Sequence, residues 1–162
     1  MQLVKQMDKQ IILKKINLAL NTLYDKDIYL INNNLCERCI AHRLAMYLEQ
    51  ENFGEDYYVD CEYNKAYSNI GEELNSKMVN SKHGNYIDIV ITKRDNNPEN
   101  DLACFEIKRN GDNHEHDIEK LKILTGRKLS IKNSRFNYLF GFFIVLSSKR
   151  EDVSIKIFER KI

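Results

Sequence analysis

Two stretches constrain this chain more than any others. "NYIDIVITK" (Asn85–Lys93) and "LACFEIKR" (Leu102–Arg109) are rich in β-formers. Between them, "RDNNPEND" (Arg94–Asp101) carries the Asn, Asp and Pro chemistry of a turn. Together they read as an antiparallel hairpin with a longish loop. Each strand holds charge where a core strand should be apolar. Asp88 stands between Ile87 and Ile89, while Glu106 and Lys108 lie two apart, on one face of their strand, with Phe105 and Ile107 on the other. If the strands pair, these charged groups meet near one end of a sheet. Burying them unpaired costs several kcal/mol, so they need partners or a function.

The rest of the chain supplies the layers for such a sheet. Residues 3–24 carry apolar side chains near helical spacing, with Asp25 and Asp27 breaking the pattern. A second helix is expected to start after Asn32-Asn33-Asn34, which offer capping side chains, and to run to about Gln50. Asp56–Asn64 alternates as a strand, and residues 65–84 read as a loop or short helix. His116–Ser130 reads as a helix with Ile118, Leu121, Leu124 and Leu129 as its apolar side. Tyr138–Ser148 is apolar enough for a central strand, and Val153–Arg160 alternates like an edge strand. That order gives an α/β fold with a mixed sheet flanked by helices, not a series of βαβ units. The 162 residues suit one domain, with residues 1–30 as a helical extension to a core spanning roughly 30–148.

A fourth charged group joins the set from the second helix. Its apolar stripe runs through Ile40, Ala41, Leu44 and Leu48, and stepping back along it reaches Glu37, near the helix start. A carboxylate there complements the helix dipole whatever else it does. With Asp88 and Glu106 it also suits a Mg²⁺ site, since that ion takes oxygen ligands. A neighbouring lysine can position or help deprotonate an attacking water.

Asp88, followed after seventeen residues by Glu106-Ile107-Lys108, resembles the D…ExK signature of the PD-(D/E)XK, or restriction endonuclease-like, superfamily. The helix bearing Glu37 is similar to the acidic helix these enzymes often carry, and Asp117 with its helix to the one after the ExK strand. The residue before Asp88 is Ile87, not the proline of the family pattern. The resemblance implies an α-β-β-β-α-β core and a nuclease that hydrolyses phosphodiesters, DNA ahead of RNA. It further implies Mg²⁺ or Mn²⁺ held by Asp88, Glu106 and the Ile107 carbonyl, with Glu37 completing or supporting the site and Lys108 orienting the water. A catalytically inactive scaffold that binds nucleic acid or a protein partner is the alternative, and a homodimer is compatible with either.

Composition adds limits. Residues 1–102 hold 12 Lys/Arg against 16 Asp/Glu, and residues 103–162 hold 13 against 8. The acidic first part and basic second part could match a carboxylate site beside a phosphate-binding surface, but on this count alone chance scatter of surface charge is the preferred reading. No apolar run reaches membrane length, and the charged N-terminal stretch does not read as a secretory signal, so a cytoplasmic protein is expected, with no membrane partner. On that basis Cys36, Cys39, Cys61 and Cys104 are expected to be reduced and buried, the Cys36–Cys39 CxxC included. His114 and His116 read as solvated, and Lys120, Lys122, Arg127, Lys128, Lys132 and Arg135 as a solvated helix face. Arg43 reads as pairing with an acid, and Tyr57, Tyr58, Tyr63 and Tyr67 as strand packing.

Overall fold

The computed structural model describes residues 7–63, 86–95, 97–111, 113–126 and 138–160. These form an α/β fold with five strands in one mixed sheet. Helices α1 (Lys9–Asn32) and α2 (Glu37–Gln50) come first, then β1 (Tyr58–Tyr63), β2 (Ile87–Thr92), β3 (Asp101–Arg109), α3 (Glu115–Leu124), β4 (Phe140–Leu146) and β5 (Ser154–Glu159). The strands lie in chain order. β1–β2, β2–β3 and β4–β5 are antiparallel, and β3–β4 is parallel. The expected hairpin is therefore present, with β1 and β5 at the edges. β3 is the middle strand, and the apolar β4 lies beside it, flanked on both sides as a central strand should be.

Side-chain alternation along β3 divides the core. Phe105 and Ile107 pack with Ile16, Leu20, Leu44 and Leu48 of α1 and α2, whereas Cys104 packs with Leu121 and Leu124 of α3. The sheet thus sits between two helical layers, and Glu106 and Lys108 fall on the α3 side. Gly141 allows α3 to seat closely on β4, because a Cβ there would lie 3.1 Å from Thr125 Cγ2.

The first helix is longer than its sequence pattern suggests. Asp27 has non-helical torsions (φ −125°, ψ 20°), yet the helix resumes and runs to Asn32. The asparagines close α1 instead of opening α2. Asn34 takes φ 53°, its N–H donates to the Ile31 carbonyl, and the Leu35 N–H donates to the Leu30 carbonyl. This is the Schellman pattern, with Asn supplying the left-handed residue. Cys36 is then the N-cap of α2, and Glu37 its first helical residue. The third helix ends at Leu124, short of the expected Ser130; Leu129, Arg127, Lys128, Lys132, Arg135 and Tyr67 lie outside the described residues, as does the expected loop of residues 65–84.

Candidate functional site

Sheet geometry brings the sequence-predicted residues to one end of β3. The β2–β3 ladder runs from Ile91↔Ala103 to Ile89↔Phe105. One residue further along β2, the Asp88 carboxylate accepts the Ile107 N–H at 2.8 Å. A side chain therefore takes a backbone donor where the strands end their pairing. On the other side of β2 the partners are Cys61↔Ile89 and Tyr63↔Ile87, and Glu62 between them takes a left-handed φ of 50°. A non-glycine residue in that region costs on the order of 1 kcal/mol, so the backbone facing Asp88 is strained.

Glu106 is 2% exposed, and its carboxylate contacts Lys120 Nζ of α3 at 2.6 Å. Lys120, also buried, donates to the Tyr86 carbonyl at 2.8 Å. Lys108 reaches across the end of the sheet. Its ammonium lies 3.4 Å from Glu37 of α2 and 3.7 Å from Asp117 of α3, so it ties together helices from opposite layers. Glu106 and Lys108 are thus neither an edge-strand pair nor an exposed one. Each has its own partners in the middle of the molecule.

Electrostatics shows how this cluster is held. Burial raises the Asp88 pKa to about 6, more than the Ile107 N–H, Lys120 and Lys108 lower it. Burial, and then the nearby Asp88 charge, push Glu106 well above the ordinary glutamate range. Burial disfavours the ammonium of Lys108, but Asp117, Glu37 and Asp88 outweigh that and raise its pKa. Lys120 is raised likewise by Glu106 against its own burial. Both lysines are therefore cationic at neutral pH. Four carboxylates (Glu37, Asp88, Glu106 and Asp117) share two ammonium groups, which leaves a formal charge of −2 when all are ionised.

That donor set fits a divalent cation in hard-oxygen chemistry and in charge. Among the described residues, no three His, Cys, Asp or Glu side chains gather as a ready metal site. Asp88 is engaged with Ile107, and Glu106 with Lys120. A groove of about 460 Å³ between α2 and β1 is lined by His42, Met46, Glu49 and Asp60 among others, and includes none of the cluster.

Several surrounding residues differ from the sequence expectation. Lys120 is buried instead of solvated, and Lys122 is half-buried. His114 and His116 are half-buried; His114 is the N-cap of α3, and its ring meets Phe143 edge-on at 5.0 Å. Burial, then Lys120, hold His116 below the usual histidine range. Only Cys104 of the four cysteines is buried. Cys61 is half-buried, and Cys36 and Cys39 are exposed. Tyr58 is exposed, with the Arg94 guanidinium 4.3 Å from its ring centroid, whereas Tyr57 packs against the core as expected, with Lys93 Nζ 5.1 Å from its ring centroid. The acid expected for Arg43 is Asp27, 2.9 Å away.

Sequence reasoning missed Lys120 as a member of the site. The signal was its spacing: Asp117, Lys120, Leu121 and Leu124 fall at i, i+3, i+4 and i+7, the core-facing stripe of a helix. Charge on that stripe requires a buried partner, and Glu106 was the available acid. No family model, no curated protein and no solved structure matches this chain. Among the described residues, no helix is long and apolar enough to cross a membrane.

Proposed function

We propose that this protein is a metal-dependent nuclease with a restriction endonuclease-like core, hydrolysing phosphodiester bonds of nucleic acid, DNA ahead of RNA. The observation that carries the reading is the charge balance at the end of β3, where four carboxylates meet two ammonium groups. A fold that needed only stability would pair buried acids one for one or replace them with apolar residues. Perturbed carboxylates around a shared point are characteristic of functional sites.

In this reading Asp88 and Glu106, with the Ile107 carbonyl, would hold Mg²⁺ or Mn²⁺. When bound, the cation would polarise the phosphate and lower the pKa of an attacking water. Glu106, now in contact with Lys120, would supply a carboxylate oxygen to the ion. Lys108 stays protonated, so it orients water and phosphate as a donor and does not act as the base. Glu37 and Asp117 hold that ammonium in place from two helices, which makes Glu37 a positioning residue and not a ligand. The middle strand fixes these groups, which supplies the orientation an in-line displacement needs.

The test is cleavage of single- and double-stranded DNA and RNA with Mg²⁺ or Mn²⁺ by the wild type, Asp88→Ala and Lys108→Ala. Loss of cleavage in both variants is expected, and equal activity in all three would sink the assignment. A specific observation favours the second reading, a scaffold that binds without cutting. Glu106 already has a buried cationic partner, so the cluster can fold without a metal. Calorimetry separates the two: nucleic-acid binding with no heat of Mg²⁺ or Mn²⁺ binding favours the scaffold.

A further inference from the structure

Cys36 and Cys39 take no part in the charge cluster, and their arrangement is specific. Cys36 is the N-cap of α2, and Cys39 is the third residue of its first turn. N-cap and N3 side chains lie side by side, which is why this spacing brings two sulfurs together. Both residues are exposed, both are free, and their Sγ atoms are 2.9 Å apart. The other cysteines are of a different kind. The Cys61 thiol is directed at the Ala41 carbonyl, and the wholly buried Cys104 thiol at the Phe140 carbonyl. Hydrophobic packing explains Cys104, but it does not explain two thiols in contact at a surface.

We propose that Cys36 and Cys39 form a redox-active dithiol site that exchanges with small disulfides of the glutathione class. One thiol gives up its proton, and its sulfur attacks the external disulfide. A mixed disulfide forms and one external thiol leaves, taking a proton. The second cysteine sulfur then attacks the first, closing the Cys36–Cys39 bond and releasing the second external thiol with the remaining proton. Two electrons pass from the protein dithiol to the external disulfide. Because the sulfurs already touch, the closing step is intramolecular and preorganised, and it outcompetes external thiols at millimolar concentration. The site is independent of the nuclease reading, although Glu37, which holds Lys108, lies between the two cysteines.

The experiment uses the full chain incubated with oxidised glutathione, quenched in acid, alkylated under denaturing conditions and mapped by mass spectrometry. The expected product is two hydrogens lighter, links Cys36 to Cys39, and leaves Cys61 and Cys104 alkylated. Cys36→Ser and Cys39→Ser should each accumulate about tenfold more glutathione adduct on the remaining thiol than the wild type does, because the resolving step is gone. Cys61→Ser should form the internal bond as the wild type does. Persistent glutathione adducts on wild-type Cys36 or Cys39 with no internal bond would overturn the proposal. So would reduced protein that retains stoichiometric zinc and loses it in both serine variants, which would make the pair half of a metal site.

Discussion

Two networks of acids and bases in this molecule are built from similar side chains and held in opposite ways. At the α1 kink, Asp27 accepts from the Tyr47 hydroxyl and from Arg43 Nε, and Arg43 also donates to Tyr47. Burial alone would raise the Asp27 pKa, but those donors more than offset it and hold the carboxyl below its usual range. At the end of β3, the donors are too few. Asp88 rises to about 6, and Glu106 goes well above its ordinary value, with burial the leading cause in both. The first network has a donor for each acceptor and clamps two helices. The second keeps acid groups in excess of its ammonium groups, which costs stability. Deeper burial and a smaller supply of donors together set the cluster at the end of β3 apart from the clamp at Asp27.

Variants can break or sharpen that contrast. The largest effect is expected from Lys120→Met, which strands Glu106 without a partner and should cost about 3–5 kcal/mol of unfolding free energy in a denaturant titration. Adding Glu106→Leu should recover most of it, and a single variant that loses less than about 1 kcal/mol would show that the pair is not the buried element described. Asp88→Asn should act in the other direction. The folded carboxyl keeps its proton up to about pH 6, whereas the unfolded one ionises near 3.8. Stability therefore falls as pH rises through that window, and the wild type should lie about 3 kcal/mol below the Asn variant above it. The gap should close near pH 4.

Asp27→Asn should destabilise by about 2 kcal/mol at neutral pH, through weaker hydrogen bonds to Arg43 and Tyr47. Its pH dependence has the opposite sign. Asp27 is held below its usual range, so its contribution is present above the unfolded value of 3.8 and is lost as pH falls through the folded one. The smallest effect belongs to Arg94→Ala. Its bonds to Asp60 and its stacking on Tyr58 are largely exposed, and less than about 1 kcal/mol is expected from thermal unfolding.

Much of the layout was legible in the sequence because apolar periodicity is a local signal. The β2–β3 hairpin, strand β1, the edge strand β5 and the core side of α2 all follow from it. Asp88, Glu106 and Lys108 stood out because charge in an apolar strand is conspicuous. What could not be read was which groups meet across layers. Lys120 looked like one of several helix lysines, since its partner lies fourteen residues earlier on another element. The continuation of α1 past Asp27 was hidden for the same reason. Two donors on α2 compensate a helix break that local pattern alone treats as a stop. The exposure of Cys36 and Cys39 follows from α2 starting at Glu37, a boundary set by the Asn34 turn.

The parallel pairing of β3 with β4 also has a kinetic consequence. β2 and β3 are joined by a local loop, whereas β4 reaches β3 only after the chain has passed through α3. Local pairing is fast and crossover closure is slow. The hairpin therefore brings Asp88 and Glu106 together before Lys120 arrives to compensate them. In that hairpin the two carboxyls are not yet buried and ionise near the ordinary value of about 4, so protonation removes the early repulsion, and the refolding rate should rise, as the solution is taken from pH 6 toward pH 4. In Glu106→Gln, where one of the two charges is absent from the start, the acceleration should be weaker.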